Sequence, residues 1–302
     1  MSIFKKSKIG LGTVQFGLDY GISNNKGKTS ELTVKQILSV AYSHGIRVLD
    51  TAPDYGVSES TLGSLNAKDL GFRLISKTID FPGEYIRELD VKYFQEGLKQ
   101  TLSKLGVSKI DGLLMHYPSD ALKRGSGFIF DAMHKEQKRN RIDKIGVSVY
   151  NPEELDYVLD NFEIQLVQLP LSAFDQRFIQ SGSIDKLYKQ GIEIHTRSTF
   201  LQGLLLMDPK TASLHFPEIE KKLHSFHENA IDLKLSVMEM CLLFCLTRYE
   251  VDTCLVGVNN LQQLNEVIIA EKTSSESLAS TIDWSLYSVS DENITNPSMW
   301  QL

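Results

Sequence analysis

Four side chains able to hold or move a proton fall at the ends of successive apolar runs. Asp50 closes one run, and Tyr55 follows it in Pro53-Asp54-Tyr55-Gly56. Lys77 closes the next run, and His116 follows the third. Singly, each has an ordinary structural explanation: a turn or cap aspartate, a loop-anchoring tyrosine, a strand-ending lysine, a satisfied core histidine. Jointly, an acid, a phenol, an ammonium and an imidazole at consecutive strand ends are hard to explain by stability, and they make a proton-handling set. Metal and disulfide chemistry find less support. Cys241, Cys245 and Cys254 lie in apolar helical or strand patterns and read as buried free thiols of a reducing compartment. His224 and His227 stand three apart in a polar stretch without a third ligand, so no metal is expected.

The elements that must bring these residues together follow one repeating pattern, a β-type apolar run, a loop and an amphipathic helical stretch. Strands are predicted at Lys8–Thr13, Arg47–Thr51, Phe72–Lys77, Ile110–Met115, Lys144–Val149, Ile164–Leu169, Glu193–Thr196 and Thr253–Val258. Helices are predicted at Thr33–His44, Val91–Leu105, Gly127–Arg141, Pro152–Asn161, Ser183–Gln190, Ala230–Tyr249 and Leu261–Ala270. Phe94, Leu98, Leu102 and Leu105 recur at helical spacing and mark one buried face. Glycines stand where helices should end, as at Gly45, Gly106 and Gly191. Asn151-Pro152-Glu153-Glu154 combines a cap, a proline at the first helical position and acids at the positive helix end.

Eight strand–helix repeats suit either an open doubly wound sheet or a closed (β/α)8 TIM barrel. A dinucleotide-binding open sheet wants G-x-G-x-x-G after its first strand. The first run here ends Gly10-Leu11-Gly12-Thr13, with no third glycine and no immediate helix, so the barrel is favoured. Its strand C-termini would converge on one face and gather Asp50, Tyr55, Lys77 and His116 there. The long loops Val14–Glu31, Tyr117–Ser126 and Phe200–Asn229 would line the same rim, and one domain over residues 1–302 is expected.

At this point the sequence resembles the aldo-keto reductase family. The resemblance is carried by Gly10-Leu11-Gly12-Thr13, Asp50-Thr51-Ala52-Pro53-Asp54-Tyr55-Gly56, Ser76-Lys77, Asp111 to His116, Ile145-Gly146-Val147-Ser148 and Val167-Gln168. It implies hydride transfer from NADP(H) or NAD(H) to an aldehyde or ketone, with Tyr55 as proton donor. Lys77 would lower the phenol pKa, Asp50 would balance and orient Lys77, and a neutral His116 would hydrogen-bond the carbonyl oxygen. The family's cofactor track maps onto Gly12, Thr13, Asp50, Ser148 and Gln168, then Arg197, Ser198, Phe200, Gln202 and Gly203, and finally Gly257, Asn259, Gln263 and Glu266. Three departures stand out. Val149 replaces a usual asparagine, Arg197 replaces an aromatic ring expected against the nicotinamide, and no Lys or Arg stands at Gly257 or Gln263 to clamp a 2′-phosphate.

Composition narrows the partners. The 302 residues are 42% apolar and 23% charged with a net charge of −6, and no basic stripe invites nucleic acid. No apolar run reaches membrane-spanning length, and no secretory signal is visible, so a cytoplasmic location is expected. The expected partner is a small carbonyl compound, acting on a monomer or weak homo-oligomer. The competing reading is a cofactor-holding regulatory or scaffold barrel with little turnover.

Overall fold

Short β-branched and leucine-rich runs, too brief for stable helices, pair with one another in chain order. They are Ile9–Gly12 (β1), Val48–Asp50 (β2), Arg73–Lys77 (β3), Ile110–Met115 (β4), Ile142–Ser148 (β5), Leu166–Pro170 (β6), Glu193–Arg197 (β7) and Thr253–Gly257 (β8). The computed structural model describes residues 7–21, 24 and 27–300. Every neighbouring pair is parallel, and β8 returns to β1, with Ile9 opposite Cys254 and Gly12 opposite Gly257. The chain is thus a closed eight-stranded barrel, and each predicted strand is present within two residues of its expected ends.

The principal helices are Glu31–Ser43 (α1), Ser58–Ser64 (α2), Asp90–Leu105 (α3), Gly127–Lys138 (α4), Pro152–Asn161 (α5), Ser183–Lys189 (α6), Val237–Leu246 (α7) and Leu261–Thr273 (α8). Their apolar faces cover the outside of the barrel in one continuous core. Inside it, Val48, Ile75, Leu114, Leu166 and Leu255 form a separate plug, as a barrel too narrow for a pore requires. Helix α5 carries the full capping box, with Asn151 and Glu154 each satisfying the other's backbone amide. Gly106 ends α3 in the left-handed region, at φ 69°.

Two expectations need correction. The single helix predicted over Ala230–Tyr249 is broken. One helix, Glu220–Asp232, ends there, Lys234 turns left-handed at φ 58°, and α7 restarts behind Ser236. The Ser236–Glu239 capping box satisfies the new N-terminus, so a local polar device overrides the continuous apolar run. Helix α2 was not predicted, because its seven residues, SESTLGS, hold one large apolar side chain. Within the long loop before α1, residues 22, 23, 25 and 26 lie outside the described residues.

Charges close the N-terminal mouth of the barrel. Glu193 on β7 accepts from both terminal nitrogens of Arg73 on β3 (2.8 and 3.0 Å), from Lys144 on β5 (2.6 Å) and from His195 two residues on (2.8 Å). These partners hold the Glu193 carboxyl far below the usual carboxylate range even though burial pushes it the other way. A depressed folded-state pKa contributes stability that is complete above the unfolded value, near 4.5, and is lost as pH falls below it. Glu193→Gln should therefore destabilise the fold by about 1.5–3 kcal/mol at neutral pH, the range for lost hydrogen bonds to a charged group whose partners are partly exposed. Urea unfolding should show this deficit shrinking below about pH 4, whereas a deficit independent of pH would mean that packing, not charge, is lost.

Candidate active site

The barrel's register sets the site, because parallel strands of similar length end on one rim. Asp50 is the last residue of β2 and Lys77 the last of β3, while Ser148 ends β5 and Arg197 ends β7. All four line one cavity on that rim together with Tyr55, His116 and Gln168. Lys77 Nζ donates to Asp50 Oδ1 at 2.7 Å and to the Thr51 carbonyl at 3.0 Å. Gln168 Nε2 donates to the same Asp50 oxygen at 2.8 Å. The ammonium and the carboxylate are both buried.

Tyr55 is placed by backbone contact. A Cβ on Gly17, in the loop after β1, would lie 1.7 Å from the Tyr55 carbonyl oxygen, so only glycine lets the two loops meet. The loops after β3 and β4 meet likewise: a Cβ on Gly125 would lie 1.9 Å from the Ile86 carbonyl oxygen. Sequence reasoning passed over both glycines, whose signal is the absence of a side chain at a contact only the fold reveals.

The Tyr55 ring sits with Lys77 Nζ 4.9 Å from its centroid and the His116 ring edge-on at 6.1 Å. Burial, and after it the Asp50 carboxylate, push the Tyr55 hydroxyl well above the ordinary phenol range. The expected lowering is not found: burial and the Asp50 carboxylate outweigh any lowering by a cation, and the Lys77 ammonium is itself paired to Asp50. Burial first, opposed by Asp50, lowers the Lys77 pKa. Burial also favours neutral His116.

The remainder of the cavity has features of a polyanion cradle. Between Ser198 and Gly203 the backbone is left-handed at Ser198, Leu201, Gln202 and Gly203, with φ of 63°, 45°, 53° and 101°. Such strain at non-glycine residues costs of order 1–3 kcal/mol each and points to function. Among the described residues, no backbone carbonyl takes the amides of Thr199 and Phe200, which line the cavity. Asn259 Oδ1 and Gln15 Oε1, on residues that also line the cavity, are buried without a hydrogen-bond partner among the described residues.

The family model of the aldo/keto reductases matches residues 8–283. The chain belongs to the aldo/keto reductase family. It is 28% identical over 179 residues to the uncharacterised oxidoreductase YtbE of Bacillus subtilis, covering 59% of this chain and 62% of YtbE. Aldo-keto reductase YhdN of the same organism is 27% identical over 183 residues, 58% of this chain and 53% of YhdN. The chain thus spans less than two thirds of either relative. The fold is shared with the aldo-keto reductase AKR11C1 of Bacillus halodurans in its holo form, at TM-score 0.72 and 18% identity, over 98% of this chain and 94% of that one.

Within this aldo/keto reductase barrel, the residues expected to hold cofactor divide. Gly12, Asp50, Ser148, Gln168, Arg197, Ser198, Phe200, Gln202, Gly203, Gly257, Asn259 and Gln263 line the cavity. Thr13 and Glu266 do not. Thr13 is buried and its hydroxyl donates to the Asp50 carbonyl at 2.9 Å, bracing the rim. Glu266 accepts from Gln262 one turn back on α8. Gln263 Oε1 accepts the Asn259 amide at 2.7 Å and thereby shapes the turn after β8. Val149 is fully buried, and its carbonyl oxygen accepts from Arg197 at 3.0 Å. The Arg197 guanidinium stacks on Tyr150, 4.3 Å from the ring centroid. Tyr20 and Tyr150, not singled out from sequence, also line the cavity; isolated tyrosines in loops carry no pattern to find them by.

The raised Tyr55 pKa has an optical consequence. On alkaline titration, Tyr55→Phe should leave the phenolate absorbance gained between about pH 9 and 11 unchanged. Loss of one tyrosine's amplitude in that window would show that Tyr55 ionises normally.

Proposed function

We propose that the chain is a nicotinamide-dependent reductase of aldehydes or ketones in which Tyr55 is the proton donor. The observation that carries this reading is a buried, protonated phenol standing between the Lys77–Asp50 pair and His116 on the wall of a cavity with a polyanion cradle. Family membership and an oxidoreductase among the similar proteins support it.

The cradle's donors suit a dinucleotide. The Ser198–Gly203 segment would face its phosphates, and Asn259 and Gln263 its adenosine end. Gln168, with its amide nitrogen already bound to Asp50, would present its oxygen to the carboxamide N–H, and the Ser148 hydroxyl would serve the carboxamide oxygen. The bound cofactor, NADH or NADPH, would supply the hydride.

The protein's own groups would handle the proton. The substrate carbonyl oxygen sits within reach of the Tyr55 hydroxyl and the His116 ring. Burial keeps Tyr55 protonated until that oxygen gains charge, and the proton then passes from the hydroxyl to it. The tyrosinate left behind would be compensated by the Lys77 ammonium beside the ring and by the Arg197 guanidinium, before a proton returns from solvent. Arg197, fixed on Tyr150, places a further positive charge on the same cavity wall.

Two outcomes test this reading. With NADH or NADPH and a panel of aldehydes and ketones, Tyr55→Phe should lose at least about 100-fold in kcat/KM while cofactor fluorescence still reports binding. A loss of less than tenfold would remove Tyr55 from the proton-donor role. Among the described cavity-lining residues no cation stands at the Gly257–Gln263 end, so dissociation constants for NADH and NADPH should agree within about two orders of magnitude, roughly 2.7 kcal/mol. A stronger preference for NADPH would mean that a cation elsewhere reaches the 2′-phosphate.

A further inference from the structure

His116 presents a problem of proton placement. Its Nδ1 is buried and makes no well-aligned hydrogen bond among the described residues. The nearest carboxylate oxygen is Asp54 Oδ2, at 3.4 Å. That same oxygen accepts a hydrogen bond from the Tyr117 hydroxyl, and the Tyr117 ring lies against the imidazole at 4.6 Å between centroids. The His116 backbone amide is tied to Thr78 Oγ1 at 3.2 Å, so the imidazole hangs from a fixed point.

A neutral imidazole has one N–H and one lone pair. If the proton is on Nε2, the Nδ1 lone pair faces the Asp54 carboxylate 3.4 Å away, which is repulsive even though that carboxylate is half exposed to water. If the proton is on Nδ1, that contact is favourable, but Nε2 carries a lone pair and cannot donate to a carbonyl oxygen. Only the imidazolium satisfies both sides, with Nδ1–H towards Asp54 and Nε2–H towards the substrate. This departs from the sequence expectation of a neutral donor.

Resting on the reductase reading, we propose that Asp54 is the positioning residue of His116: clamped by Tyr117, its carboxylate keeps a proton on Nδ1 and lets the ring donate from Nε2 as an imidazolium. The groups around the ring divide over its charge. Burial opposes it most, Lys77 from β3 also opposes it, and Asp54 and Asp50 favour it; the balance leaves the His116 pKa below the ordinary imidazole value, so Asp54 sustains the imidazolium against burial on the acid side of neutrality. Tyr55 and Tyr117 border the ring uncharged, both raised first by burial. His116 and Tyr117 together hold the Asp54 carboxyl below its usual range, so it is ionised wherever His116 titrates. Reduction should then weaken as pH rises through the His116 pKa.

The test pairs two substitutions with opposite signs. Asp54→Asn keeps an acceptor oxygen but removes the charge. Tyr117→Phe keeps the ring but frees the carboxylate oxygen for His116. In nitrogen-15 NMR of the imidazole, recorded on cofactor-loaded protein, Asp54→Asn should lower the His116 pKa by about one unit and Tyr117→Phe should raise it. The alkaline limb of kcat/KM should move with each, costing Asp54→Asn about tenfold above the limb. A uniform loss at every pH would mark Asp54 as merely structural and overturn the proposal. So would an His116 titration unmoved in Asp54→Asn, or a limb that moves while the NMR titration does not. The NMR measurement needs no turnover. Wild-type protein that reduces none of the carbonyl panel sinks the reductase reading by itself, separately from Asp54's hold on the His116 proton.

Discussion

The buried pair of Lys77 and Asp50 is the contact from which the rest of the rim takes its positions. Removing an ammonium and a carboxylate from water costs several kcal/mol each, and attraction offsets that only with good geometry and further hydrogen bonds. Both conditions hold: a 2.7 Å contact, a second bond to the Thr51 carbonyl, and Gln168 donating to the shared Asp50 oxygen. These bonds join the ends of β2 and β3 to the middle of β6. Deleting either charge would strand the other, so the pair is maintained by the penalty for breaking it more than by the benefit of having it. The Tyr55 ring against the ammonium and the set of the Gln168 amide both follow from it.

The electrostatics of the rim keep acid and base roles apart. Tyr55 is buried beside a carboxylate that outweighs the nearby cation, and its resting state is the phenol. A phenol that does not ionise at rest gives up its proton only to an oxygen whose charge is growing, which favours donation in the transition state over ionisation in the ground state. The lysine, by contrast, is disfavoured by burial and sustained by Asp50. One carboxylate therefore acts on both neighbours and raises the proton affinity of each.

Much of this was legible in the chain. Strand ends came out within two residues because each apolar run is short and bounded by polar or glycine residues, and a barrel then forces Asp50, Lys77, Ser148 and Gln168 onto one rim. What was not legible depends on contacts between distant segments. The break before α7 turns on a left-handed lysine and a serine cap inside an apolar stretch. The direction of the Tyr55 shift depends on how deeply the ring is buried and how close Asp50 comes to it, which no spacing encodes. Thr13 and Glu266 matched family positions, yet the fold turns Thr13 inward to the Asp50 carbonyl and leaves Glu266 on Gln262.

Two contacts in which a carbonyl oxygen rests on a loop glycine, Tyr55 on Gly17 and Ile86 on Gly125, join rim loops in pairs. The first pair belongs to β1 and β2, the second to β3 and β4. A backbone oxygen pressed against an α-carbon has no rotamer with which to yield, so even one methyl group is a threshold and not a gradual perturbation. Lengthening one loop of a pair must displace its mate, and a change in the loop after β1 reaches the Tyr55 ring through its backbone. Divergence on this half of the rim is thus constrained to proceed by coordinated steps in two segments at once, a form of epistasis written into the backbone.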